Sequence, residues 1–324
     1  MNVALLGTWH VHAPEYSEAV INSDKANLVK VWDADLEKAK AFAAKYSIAY
    51  TDKLEEILED ETIDSVLVCT ATGDHVSVIP AAAKAGKNIF TEKVLAFTTA
   101  EAEAIKKVVD ESGVKFTISY PHRTWGKLKY AKDLLTEGKL GKITYARVRN
   151  VHSGVSDGWL PEHFFDKEQC GGGAMMDLGA HPMYTLAWLL GEPKSITSTF
   201  TSVYGKPVED NAVSVLEFDG GVIGVSETGF VSKDNPYTLE LSGTAGALLV
   251  HGDRVASCNP ATDGEWKHLH NEWLPENDPL PIYQWIDAVI NDTKAPFGTD
   301  EAVVLSKLME GAYKASESGE KYYF

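Results

Sequence analysis

The sequence is short of three things, and each shortage narrows what the chain can be. Cysteine is scarce: Cys69, Cys170 and Cys258 are the only three in 324 residues. An odd number set far apart suits reduced thiols and no disulfide framework, so the expected compartment is the cytoplasm. Long apolar runs are missing too. None approaches the ~18 residues of a membrane span, and Met1 leads straight into NVALLG, so neither a membrane anchor nor export is expected. Positive charge is in deficit, with 30 Lys and Arg against 47 Asp and Glu and a net charge of -17. Such a surface repels phosphate backbones, which argues against nucleic acid as a partner but leaves room for a local pocket that takes a phosphate-bearing cofactor.

What is present is an ordinary globular composition, 44% hydrophobic and 24% charged, in a chain too long for one ordinary core. Two domains are expected, 1–121 and 122–324. In the first, VALLG, LVKVWD, SVLVCTAT, KNIFTEK and VKFTISY alternate with stretches of helical spacing after His12, over Leu36 to Lys45, Lys53 to Glu59, His75 to Ala85 and Thr98 to Ser112. Continuous apolar strands between helices indicate a parallel sheet covered on both faces, hence α/β architecture with a doubly wound Rossmann domain. From His122 onward, a helix near Trp125 to Gly138 is followed by segments such as ITYARVRNVHS and NAVSVLEFDG, which alternate polar and apolar residues. They predict an α+β domain with a large, mainly antiparallel, open-faced sheet. A broad sheet needs cover on its second face, so a homodimer or homotetramer through that sheet is expected.

The chemistry-bearing residues fall along the carboxyl edge of the predicted parallel sheet, where ligands of such folds bind. Gly7, Thr8, Trp9 and His10 follow the first strand, although Trp9 and His12 stand where G-x-G-x-x-G would place its later glycines. Asp33 ends the second strand and can accept from an adenosine ribose, or else cap the next helix. Thr70, Ala71, Thr72 and His75 follow a later strand, and Glu92 and Lys93 the next. Lys93 either points to the reactive end of the cofactor or is a solvated surface lysine. In GGGAMMDLGAHPMY a helix is predicted from Ala174 to Leu190, placing Asp177 and His181 one turn apart on one face. Burying both without a use is costly; the other reading is a hydrogen-bonded core histidine with Asp177 paired to an Arg. The long loop from His152 to Cys170 reads as a lid or binding loop whose Trp159, His152 and His163 could line a polyol site. His10-x-His12 and His268-x-His270 lack partners at ligand spacing, and no metal is expected.

Three motifs together, TEK at Thr91 to Lys93, TAT-x-x-H through His75 and GGGAMMDLGAH, resemble the Gfo/Idh/MocA oxidoreductases. Arg123, LSGTAGAL and AYKASESG extend the resemblance over most of the chain. It implies an NAD(P)-dependent dehydrogenase or reductase acting on CH-OH groups of a sugar, polyol or related compound. By the same resemblance Lys93 and His181 flank the reacting carbon and Asp177 holds the substrate. Arg123, Trp159 and His163 are the further substrate-side candidates. Asp33 favours NAD over NADP. Three departures stand out: Val94 replaces the usual proline after Glu-Lys, the glycine fingerprint is degraded, and Tyr184 stands where an aspartate is usual. The Lys93-Val94 bond is expected to be trans, because a cis bond without proline costs ~3 kcal/mol or more. Two other functions fit the motifs: a dinucleotide-binding regulator without catalysis, and a redox-neutral lyase or glycosidase that keeps its cofactor.

Overall fold

The computed structural model describes residues 1–233 and 237–324. The chain forms two compact units, Met1–Tyr120 with Pro279–Ser306, and Pro121–Asp278 with Lys307–Phe324. In the first, strands β1 (Asn2–Leu6), β2 (Asn27–Trp32), β3 (Ala49–Thr51), β4 (Ser65–Val68), β5 (Asn88–Thr91) and β6 (Phe116–Ile118) alternate with helices α1 (Ala13–Ile21), α2 (Leu36–Tyr46), α3 (Glu55–Leu58), α4 (His75–Lys84) and α5 (Thr99–Ser112). The six strands are parallel, in the order β3-β2-β1-β4-β5-β6. All four residues of β4 are buried, as a strand covered on both faces requires. Strand order reverses beside β1, so the loops after β1 and β4 open a crevice at the carboxyl edge.

The second unit begins with α6 (Gly126–Thr136) and β7 (Ile143–Val151), then α7 (Lys167–Cys170), α8 (Ala174–Asp177) and α9 (Ala180–Leu190), then β8 (Ser195–Thr201), β9 (Asn211–Glu217), β10 (Ile223–Gly229), β11 (Thr238–Gly243), β12 (Ala247–His251), β13 (Arg254–Cys258) and β14 (Lys267–Leu269). With β15 (Tyr322–Tyr323) these strands make a nine-stranded sheet, ordered β14-β13-β12-β11-β7-β10-β9-β8-β15. Every pair is antiparallel except β7 with β10. Burial alternates strictly along β9, as expected where one face is packed and the other is not. Helix α9 lies against β7 and β10. On the opposite face Val213, Val215 and Ile223 are exposed, beside Arg147 paired with Glu227 and Glu240.

Three sequence expectations are corrected. The chain after residue 122 is not one domain, because α10 (Pro281–Ile290) and the first part of α11 (Thr299–Ser318) return to the first unit. There Ile282, Trp285 and Ile286 bury beside Tyr16 and Phe90, an apolar surface that the sheet alone leaves bare. The helix expected from Ala174 to Leu190 is broken at Leu178-Gly179, where the chain is so tight that a side chain on Gly179 would meet the Met175 carbonyl at 2.4 Å. The Lys93-Val94 peptide is cis. Tertiary contacts decide that loop: Lys93 and Val94 are buried, the Lys93 N-H donates to Glu92, and the His75 ring holds the Val94 and Leu95 carbonyls.

Candidate active site

The loop after β1 departs from the sheet at Gly7, whose φ of +82° and 2.7 Å approach to Thr70 admit no side chain. Thr8 donates from its N-H (2.9 Å) and its hydroxyl (2.7 Å) to one oxygen of Asp33, while the other accepts from the Asp35 N-H at 3.0 Å. Asp35 is the residue that caps α2, so Asp33 is left as a fixed carboxylate at the end of β2. Across from Gly7, the Thr70 hydroxyl is buried and lacks a hydrogen-bond partner among the described residues. A glycine cradle, an orphaned hydroxyl and a carboxylate at the second strand end fit the pyrophosphate and ribose of a dinucleotide.

At the end of β5 the structure gathers residues that the sequence does not. Glu92, 2% exposed, accepts from the Lys93 N-H at 2.9 Å and from Tyr16, and pairs with His12 Nδ1 at 2.7 Å. Tyr16 also meets Ser119 at 2.9 Å. Burial alone would raise the Glu92 carboxyl, but the His10 and His12 imidazoles and the Lys93 ammonium outweigh it and hold the group well below the usual range. Burial, reinforced by the Glu92 charge, raises the Tyr16 phenol well above its ordinary value. His10, His12 and Glu92 bring ligand-type atoms within 4.8 Å of one another, so His10-x-His12 does have the carboxylate partner that spacing hid, supplied 80 residues on. Here those atoms serve a hydrogen-bond network, with His10 Nδ1 accepting the His12 N-H at 3.2 Å. His75 is 1% exposed, and its Nδ1 lies 3.1 Å from the Val94 and Leu95 carbonyls. Burial lowers it to about 4, so it is neutral and braces the loop that carries Lys93. Ala71 and Thr72 lead from β4 into α4, both nearly buried.

In the second unit Asp177 ends α8 and His181 sits in the first turn of α9. Of the three glycines before them, Gly171 ends α7 in the left-handed region with a φ of +74°, and the other two serve packing. A side chain on Gly172 would strike the Tyr313 hydroxyl at 1.8 Å, and one on Gly173 the Glu209 carbonyl at 2.0 Å. Glu209 then takes the Gly173 and Met175 N-H groups at 2.9 and 3.0 Å and the Tyr313 hydroxyl at 2.6 Å, tying down the start of α8. His181, 6% exposed, has its Nδ1 2.9 Å from the Tyr184 hydroxyl, and its ring is stacked on His122 with centroids 4.3 Å apart. His122 in turn lies 4.0 Å from the Trp125 ring, with Tyr237 edge-on to both. His122 carries no motif signal, and the sequence marks Tyr184 only as a departure from the usual aspartate, with no role attached. Arg123 lies 5.0 Å over the Trp188 ring. Burial, and next the Asp177 carboxylate, push the Cys170 thiol up to about 12, which removes it as a nucleophile.

The loop read as a lid or binding loop is partly packed: Val155, Leu160, Phe164 and Phe165 are buried, and His152 stacks on Phe230 at 4.9 Å. Trp159 is 54% exposed, with His152 at 4.6 Å, while His163 packs beside Phe164 and its carbonyl accepts from Cys170.

Comparison with known proteins agrees with both halves. Residues 1–120 match the oxidoreductase family with an NAD-binding Rossmann fold, and residues 128–249 match the GFO/IDH/MocA C-terminal domain. The chain is 26% identical over 280 residues to 1,5-anhydro-D-fructose reductase of Ensifer adhaerens, covering 84% of this chain and 82% of that one. It is 28% identical over 260 residues to scyllo-inositol 2-dehydrogenase (NAD(+)) of Bacillus subtilis, covering 76% and 72%. Over 97% of its length and 91% of the other's it is 27% identical to D-xylose 1-dehydrogenase [NADP(+)] of Haloarcula marismortui. Levoglucosan dehydrogenase, solved with NADH and levoglucosan, shares the fold at a TM-score of 0.87 and 19% identity, covering 100% of this chain and 99% of that one. The chain belongs to the Gfo/Idh/MocA family of NAD-binding oxidoreductases.

Proposed function

We propose that the protein is an NAD-dependent dehydrogenase or reductase of a sugar or polyol, with Lys93, Asp177 and His181 needed for turnover. The observation that carries this is the presence of Asp177 and a buried, ring-stacked His181 at adjoining helix ends of the second unit, in a chain whose first unit holds a dinucleotide cradle and a buried Lys93. Bound NAD supplies the site that exchanges hydride with a carbinol carbon. Gly7, Thr70 and the start of α1 are suited to its pyrophosphate, and Asp33 to a ribose. The Lys93 amine and the His181 imidazole divide two tasks, moving the hydroxyl proton and stabilising the developing alkoxide. Asp177 holds substrate hydroxyls, with Arg123, Trp159 and His163 as further contacts. The named activities of the relatives, on anhydrofructose, inositol and xylose, support this substrate class.

Purified protein mixed with NAD and a panel of polyols and aldoses should show a rise in absorbance at 340 nm. Tight NAD binding with no rise for any substrate would sink the reading and favour a regulator or a redox-neutral enzyme. The exposed Val213, Val215 and Ile223 support a homodimer or homotetramer through the sheet, to be read from the solution mass. Three free thiols, two of them buried, support a reducing, cytoplasmic setting.

A further inference from the structure

We propose that Tyr184 is a positioning residue that fixes His181 as its Nε2-H tautomer, so that His181 acts as a neutral hydrogen-bond donor to the substrate oxygen and proton movement falls to Lys93. This rests on the reading of His181 as a substrate-facing group and divides the labour that reading left shared. His181 and Tyr184 lie three residues apart on the first turn of α9, hence on one face. The tyrosine hydroxyl and His181 Nδ1 are 2.9 Å apart. The same hydroxyl oxygen accepts the His122 backbone N-H at 3.2 Å.

A backbone N-H can only donate, so the phenol oxygen is engaged as an acceptor from that side. Between a phenol and a neutral imidazole the phenol is the stronger acid, with pKa ~10, and the imidazole nitrogen, with a conjugate acid near ~6.5, is by far the stronger base. The shared proton therefore stays on oxygen and points at Nδ1. A neutral imidazole whose Nδ1 accepts carries its hydrogen on Nε2. The ring cannot readily turn over to exchange the nitrogens. His122 is stacked on it with planes 26° apart, and the Tyr184 ring meets it edge-on at 72°. Burial raises the Tyr237 phenol, which sits edge-on behind His122, so that ring also stays uncharged. The arrangement presents an N-H, which stabilises negative charge growing on an oxygen without itself changing protonation. In oxidation the hydroxyl proton then passes to the Lys93 nitrogen, and in reduction the same nitrogen returns it.

The test uses the full chain labelled with 15N-histidine, and long-range 1H–15N correlation to read each ring's tautomer. His181→Gln identifies the His181 signals by their loss. We expect an acceptor-type Nδ1 and a protonated Nε2 in the parent protein. In Tyr184→Phe the two nitrogens should move toward a tautomer average, with the NAD dissociation constant unchanged and kcat down on the order of tenfold, a loss of one positioning hydrogen bond. A protonated Nδ1 in the parent protein, or an unaltered His181 spectrum in Tyr184→Phe, would overturn the proposal. If Tyr184→Phe fails to fold, the parent spectrum alone decides. The spectrum needs no turnover, so a protein that proved inactive on every sugar would refute the functional reading and leave the tautomer assignment standing or falling on its own signal.

Discussion

The choice between NAD and NADP should turn on the charge of Asp33. Its carboxylate is 9% exposed and held by three donors, two from Thr8 and one from the Asp35 N-H, so it cannot swing aside as a free side chain would. Asp74 adds to the field, since its carboxyl is raised first by burial and next by the Asp33 charge, which places the two acids within electrostatic reach. A ribose 2'-phosphate set ~4 Å from one carboxylate, at an effective dielectric of ~20, meets about 4 kcal/mol of repulsion per charge pair. A quarter of that, about 1 kcal/mol after screening and relaxation, still corresponds to roughly a fivefold preference for NAD. Asp33→Asn removes the charge while its amide oxygen keeps an acceptor for Thr8, at the cost of the bond from the Asp35 N-H, which then faces the amide NH2. Equilibrium titration of both cofactors should show NAD bound more tightly by the parent protein and a gap reduced about fivefold in the variant. Tighter binding of NADP by the parent protein, or an unchanged ratio in Asp33→Asn, would refute the reasoning. A Lys38 side chain reaching back from the start of α2 is the route by which that could happen.

Two further outcomes follow from the site. Lys93→Ala and His181→Ala should each lower kcat on the order of 10² or more while leaving the NAD dissociation constant within about twofold; near-full activity of either variant would remove that residue from the chemistry. Glu92→Gln should cost about 1.5–3 kcal/mol at pH 7, as for loss of a buried charged acceptor. Because the folded Glu92 carboxyl lies well below its ordinary value of 4.5, its stabilisation is fully present above that value and is lost as the pH falls through the folded one. Denaturant unfolding from pH 7 down to 3.5 should therefore show parent and variant converging in the acid range. Parallel curves would mean that Glu92 is not the group responsible.

The parts legible in the sequence were those written in local pattern. Apolar runs between helical stretches were enough for the parallel sheet, and Asp-x-x-x-His marked Asp177 and His181 as candidates. What escaped was written in tertiary proximity. Glu92 meets His12 and Tyr16 across 80 and 76 positions, and Tyr184 meets the His122 N-H across 62. The Tyr16 partner could have been suspected, since it follows His12 by one helical turn. Nothing local in the Gly171 to Gly173 run shows that Gly172 and Gly173 make room for Tyr313 and Glu209, which arrive from distant segments. The helix break at Gly179 was masked by apolar spacing that continues smoothly through it. The rule against a cis bond without proline is local, and at Lys93-Val94 it yielded to a loop fixed on both sides by buried partners.

The late return of Pro279–Ser306 to the first unit sets a timetable for biosynthesis. A growing chain has made all six strands of the Rossmann sheet by Ile118, yet the residues that seal Phe90, with the Trp285 ring 5.7 Å from it, are still unmade. The ribosome must first deliver the whole of 121–278, which at ~5–20 residues per second takes on the order of ten seconds or more. Throughout that interval the nascent nucleotide-binding unit holds an uncovered apolar seam, the kind of surface that makes partly folded chains prone to aggregate. The unit encoded first thus closes only after most of the second has been made, and a chain ending at residue 270 should be protease-sensitive in its first unit where the full 324-residue chain is not.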